Sequence, residues 1–168
     1  MSPELELIRR ETEIATHGLT PDAWLRAPQG KWNSLQILEH LVLTYTATTK
    51  GLLRTMEAGE PQRGKPNLGQ RMKCLYVLGF GRFPEGVEAP QHTVPLKGLG
   101  DDPLRQFNNA LVAMDATLSD AEKRFGGRTR LLNHPVLGPL TARAWRRFHQ
   151  VHGRHHLKQV VARVHGRD

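Results

Sequence analysis

Apolar positions along this chain recur at three- and four-residue intervals, the period of helices with one buried face. Leu5, Ile8 and Thr12 with Ala15 predict the inner side of a first helix that stops before Gly18. Ser2 stands at its N-cap and Pro3 at its first helical position. Thr20-Pro21-Asp22-Ala23-Trp24 reads as one helical turn. Leu35, Leu38, Val42, Tyr45, Leu52 and Met56 then predict a long helix that opens at Asn33 and stops at Gly59, with Asn33 and Gln36 at capping-box spacing. A loop rich in Gly, Pro and Arg over 60–66 precedes a helix over 68–78. Residues 79–100 carry many Gly and Pro and read as a long surface excursion. Asp102 and Pro103 open the next helix, which has Leu104, Phe107, Leu111, Met114 and Leu118 on one face and ends at Gly126-Gly127. A loop over 133–139 leads to the last helix, from Thr141 to about residue 164, and no alternating segment is long enough to demand a sheet. The pattern predicts one all-α domain over 1–168, a four-helix bundle with an extra short helix and long loops.

Composition narrows the picture. A chain of 168 residues suits one core, and 38% hydrophobic with 24% charged residues excludes a disordered chain. The one cysteine, Cys74, precludes an intramolecular disulfide and points to a reducing compartment. Within Cys74-Leu75-Tyr76-Val77-Leu78 it reads as a small buried apolar residue. Glu4, Glu6, Arg9 and Arg10 interrupt the N-terminus, so no secretory signal is expected. No apolar run approaches the roughly 20 residues of a membrane span, and the chain reads as cytoplasmic with no membrane partner. The net charge of +8 raises nucleic acid as a partner, but dispersed cations and an aromatic content of only 6% disfavour it.

The chemistry lies in the last helix. At about 100° per residue, Trp145, His149, His152, His156 and Gln159 share one face, while Arg147, Arg154 and Lys158 fall together opposite. Imidazoles on an inward face require partners, because unpaired polar groups are costly to bury. His152 and His156 are spaced i, i+4, which lets a helix present two nitrogens to one metal. His40, on the border between the apolar stripe and the wet side of its helix, is placed to reach a site between helices.

Lys31-Trp32-Asn33, Ile37-Leu38-Glu39-His40-Leu41 and His152…His156 followed by Gln159 resemble the DinB-like (YfiT-like) superfamily of metal-binding bundles. His134-Pro135-Val136-Leu137-Gly138, Trp145 and His155-His156-Leu157 further resemble a branch of unknown function. The resemblance covers nearly the whole chain. It implies a bacterial four-helix bundle of up-down-down-up topology, often a homodimer, with a divalent metal on His40, His152 and His156. It also implies relatives that are thiol-dependent transferases or isomerases using low-molecular-weight thiols. His149 reads as an orienting group behind the ligands or an alternative ligand, and Gln159 as an orienter of an imidazole or of water. Trp32 and Trp145 read as core or pocket-wall aromatics, and His155 as a packing or surface residue.

Three neutral imidazoles leave open coordination positions, as a catalytic site needs, and the donors favour zinc or nickel, with iron or manganese compatible. Such a metal activates water or a thiol, so the sequence points to a metal-dependent transferase or hydrolase acting on a small molecule. No nucleophile or acid–base residue is evident: Glu39 reads as solvated, and Arg71, Lys73 and Arg82 as surface charge. That absence keeps a second reading open, a non-catalytic metal-binding stress-response scaffold that dimerises.

Overall fold

Each long helix starts at a residue that stops the preceding extended chain and supplies an acceptor or a fixed φ. The computed structural model describes residues 1–61, 64–84, 86, 88–96 and 98–165. α1 (Pro3–Thr16) follows Ser2, whose backbone is extended but whose side chain makes no cap bond. The Ser2 N–H instead donates to Asp115, 2.6 Å away. α2 (Pro21–Leu25) is the short turn, with Thr20 accepting from the Ala23 N–H. α3 (Ser34–Ala58) carries the full Asn33–Gln36 capping box and ends at Gly59, whose φ of 68° is the left-handed conformation glycine tolerates. α4 (Leu68–Cys74) has a second such box, Asn67 with Gln70, and runs into a π-helical turn (Leu75–Gly79). α5 (Pro103–Phe125) starts at the Asp102 cap and α6 (Ala142–His165) closes the described fold.

Pairs of contacts give the helix directions. Arg146 bonds Asp115, which also holds Ser2, while Ile8 faces Gly153 and Arg154 pairs with Glu11, so α1 and α6 run the same way. His40 meets His152 and Thr48 meets His149, so α3 runs against α6. Tyr45 stacks edge-on against Phe107, and Gly59 lies beside Arg124, so α3 and α5 are parallel. The order is up-down-down-up, as the resemblance implied. The core between these helices includes Leu5, Ile8, Leu38, Leu41, Tyr45, Phe107, Leu111 and Met114. No described helix is long and apolar enough to cross a membrane.

Four sequence expectations need correction. The segment before α6 is not simply a loop: β1 (Arg130–His134) pairs antiparallel with β2 (Gly138–Thr141). Strands of 5 and 4 residues, the second containing Pro139, carry no period-two signal to read. Residues 79–100 are only partly an excursion, because a 3₁₀ turn (Gln91–Thr93) folds back on α3 and buries Thr93 and Leu99. Glu39 is not solvated; it is 5% exposed and accepts the Leu96 and Gly98 N–H groups at 3.1 and 2.9 Å. Arg147 is half-buried on the supposed wet face, where it donates to the Leu78 carbonyl and Gln150 and pins the π-helical turn to α6.

Candidate metal centre

α3 and α6 bring His40, His152 and His156 together in the interior, 3%, 5% and 8% exposed. His40 Nδ1–H donates to the Thr93 carbonyl at 2.8 Å, and a carbonyl can only accept, so His40 turns a bare Nε2 inward. His156 Nδ1–H donates to Gln159 Oε1 at 2.9 Å and likewise frees its Nε2. These two nitrogens lie 3.2 and 3.1 Å from the Nε2 of His152. A neutral His152 carries at most one proton there, so it can bridge one neighbour but not both. At least one nitrogen–nitrogen approach therefore sets lone pair against lone pair unless a cation sits between them.

The spacing fits such a cation. With metal–nitrogen bonds of about 2.1 Å, two ligand nitrogens stand about 3.4 Å apart in a tetrahedral site and about 3.0 Å apart in an octahedral one. Burial disfavours the imidazolium forms. It pushes the His156 pKa down to about 3, helped by His40, lowers His40, and holds His152 well below the usual histidine range. Burial thus favours the neutral imidazoles, each with one bare nitrogen, the state a metal ligand must have. His152 Nδ1 is buried without a hydrogen-bond partner among the described residues, so of the three only His152 lacks a group that fixes its tautomer.

Gln159 Oε1 accepts from His156, and its amide Nε2 lies 3.2 Å from His155 Nε2. His149 does not join the cluster. Its Nε2 sits 3.1 Å from Thr48 Oγ1, and its ring stacks on Trp145. Trp32 and Trp145 both line the cleft; Trp32 lies 5.2 Å from the His40 ring, while Trp145 donates to the Leu132 carbonyl. His155 is half-buried on the same wall, beside Phe83.

Sequence reasoning missed Thr93, Phe83 and His134, all of which line the site. Thr93 acts through its backbone carbonyl, which no side-chain pattern announces. Phe83 packs its ring 5.1 Å from that of His152. His134 had been visible as a motif residue without a role. The cleft that these residues enclose holds about 770 Å³, the scale of a small-molecule site.

No curated protein and no solved structure matches the chain. The family model of the DinB superfamily matches residues 4–160, a span that runs from α1 into α6 and includes all three clustered histidines. The chain belongs to the DinB superfamily.

Proposed function

We propose that the protein binds one divalent metal through the Nε2 atoms of His40, His152 and His156 and acts on a small molecule held in the adjoining cleft. The observation that carries this reading is the convergence of three neutral imidazole nitrogens, two of them with tautomers fixed by Thr93 and Gln159. Three protein ligands leave further positions open, and zinc or nickel suits the all-nitrogen set, with iron or manganese compatible. When bound, the metal supplies Lewis acidity that makes a thiol or a water nucleophilic at neutral pH. The protein holds and orients the ligands, and the aromatic walls of Trp32, Phe83 and Phe148 exclude bulk water from the reacting end. The reaction class we propose is a transferase using a low-molecular-weight thiol, or a hydrolase.

One observation favours the second reading, a non-catalytic metal-binding scaffold. Among the described residues lining the cleft Glu88 is the lone carboxylate, and Glu39 is committed to two backbone amides. Homodimerisation belongs to either reading and is read from the mass in solution.

The test is elemental analysis of protein purified without chelator or affinity tag, beside a His152→Ala/His156→Ala variant. Near-stoichiometric metal, lost in the variant, is expected. Wild-type protein that takes up no metal after incubation and dialysis sinks the proposal. Metal-dependent turnover of low-molecular-weight thiols with electrophilic acceptors then separates enzyme from scaffold.

A further inference from the structure

Across Phe148 from the triad sits a histidine with half of its ring unexplained. His134 ends β1, and its Nδ1 accepts the Val136 and Leu137 N–H groups at 3.1 and 3.2 Å. Two N–H donors converging on Nδ1 require a lone pair there, so a neutral ring carries its proton on Nε2. Burial disfavours the imidazolium and pushes the pKa of His134 down to about 4, which keeps that neutral form at physiological pH. The ring cannot turn freely: it lies 4.3 Å from Phe148 and 5.6 Å from Trp145. Phe148 in turn stacks on His152 at 5.4 Å with the planes 10° apart.

The turn uses only the acceptor at Nδ1, which the side-chain oxygen of an asparagine or aspartate could equally supply. The second nitrogen has no structural task. Among the described residues Nε2–H has no hydrogen-bond partner, and the residue lines the cleft. A donor fixed in direction on an apolar aromatic wall is what a small-molecule site uses to orient one oxygen of its ligand. The charge around it selects the kind of oxygen. Lys31 lines the same cleft, as does Arg163, whose Nε donates to the Trp32 carbonyl, and among the described residues of the lining Glu88 is the lone carboxylate. Trp32, Phe83, Trp145 and Phe148 offer flat apolar surface for the rest of the ligand.

We propose that His134 is a ligand-binding residue whose Nε2–H donates to a carboxylate oxygen of a small acid with an aromatic or other flat apolar body. The inference rests on reading this cleft as the substrate site but not on the metal.

The test has two parts. Long-range proton–nitrogen correlation spectra of histidine-labelled protein read the tautomer directly, and His134 is expected to carry its proton on Nε2 alone. Benzoate is then titrated into wild-type protein and His134→Asn, each with and without zinc. The asparagine oxygen replaces Nδ1 in the turn but brings no donor to the Nε2 position. Its melting temperature should hold while benzoate affinity falls roughly five- to tenfold, the loss of one neutral hydrogen bond. A proton on Nδ1, equal affinity in both proteins, or no saturable benzoate binding to the wild type would each overturn the inference. Benzoate binding that needs zinc but ignores His134→Asn removes the role of His134 and leaves the metal reading standing. Dependence on His134 in protein that takes up no zinc does the reverse.

Discussion

Replacing His149 with phenylalanine should make the protein markedly less sensitive to acid. His149 is fully enclosed, 0% exposed, between Trp145, Tyr45 and Phe148. Burial, with a smaller contribution from nearby His134, lowers its pKa from 6.5 to about 3. The folded pKa lies below the unfolded one, so the unfolded chain binds more protons at any pH between them. The stabilisation is therefore complete above the unfolded value and is lost as pH falls from about 6.5 toward about 3. At about 1.4 kcal/mol per pH unit through that window, His149 alone costs the protein about 2 kcal/mol between pH 7 and pH 5. Against a typical stability of about 5–15 kcal/mol, that is a large fraction.

The assay is urea unfolding followed by circular dichroism at pH 7 and pH 5, with chelator present and again with zinc loaded. Phenylalanine suits the aromatic surroundings, and Thr48, which loses its contact with the imidazole, keeps its bond to the Thr44 carbonyl at 3.1 Å. The drop in stability between the two pH values should shrink by about 2 kcal/mol in His149→Phe relative to wild type. It should shrink in both metal states, because zinc shields His40, His152 and His156 from protons and leaves His149 alone. Identical pH dependence in the two proteins would refute the reasoning. A His149 contribution that vanishes on loading zinc would make His149 a ligand after all.

Gln159→Leu removes the acceptor that fixes the His156 tautomer, and zinc affinity should fall about 10- to 100-fold in competition with a chromophoric chelator. Unchanged affinity would mean that Gln159 does not orient the ligand. Glu39→Gln replaces a carboxylate holding two amides with a group of weaker acceptors, and hydrogen exchange at Leu96 and Gly98 should quicken by about tenfold or more. Exchange at wild-type rates would show that Glu39 does not hold this segment. Arg146→Met strands Asp115, whose side chain is 6% exposed, with only the Ser2 N–H as a partner among the described residues, and should cost about 3–5 kcal/mol in chemical denaturation. A cost under about 1 kcal/mol would place the pair with exposed ion pairs of little consequence.

The helices were legible because their apolar periods are long and their caps conventional: Asn33 with Gln36 and Asp102 with Pro103 mark starts that the structure keeps. The inward face of α6 was legible for the same reason, since a helix that turns imidazoles toward its neighbours conflicts with its own burial unless they share a partner. The failures around α3 have one physical cause. A helical wheel sees the face that packs on other helices, and it assigns the remainder to water. On α3 the remainder is covered by a segment that includes Thr93, Leu96 and Gly98, which brings the Thr93 carbonyl to His40 and the Leu96 and Gly98 amides to Glu39. Glu39 was therefore misread as solvated and His40 placed only at a border, although the two are sequence neighbours buried by the same segment. The β1–β2 turn was hidden differently, because its key bonds join the His134 ring to backbone amides and leave no periodic trace. In both places the local pattern fails where side chains answer to backbone rather than to other side chains. Both places also flank the cleft beside the three histidines, and departures from local consistency are expected where a fold holds groups for a ligand.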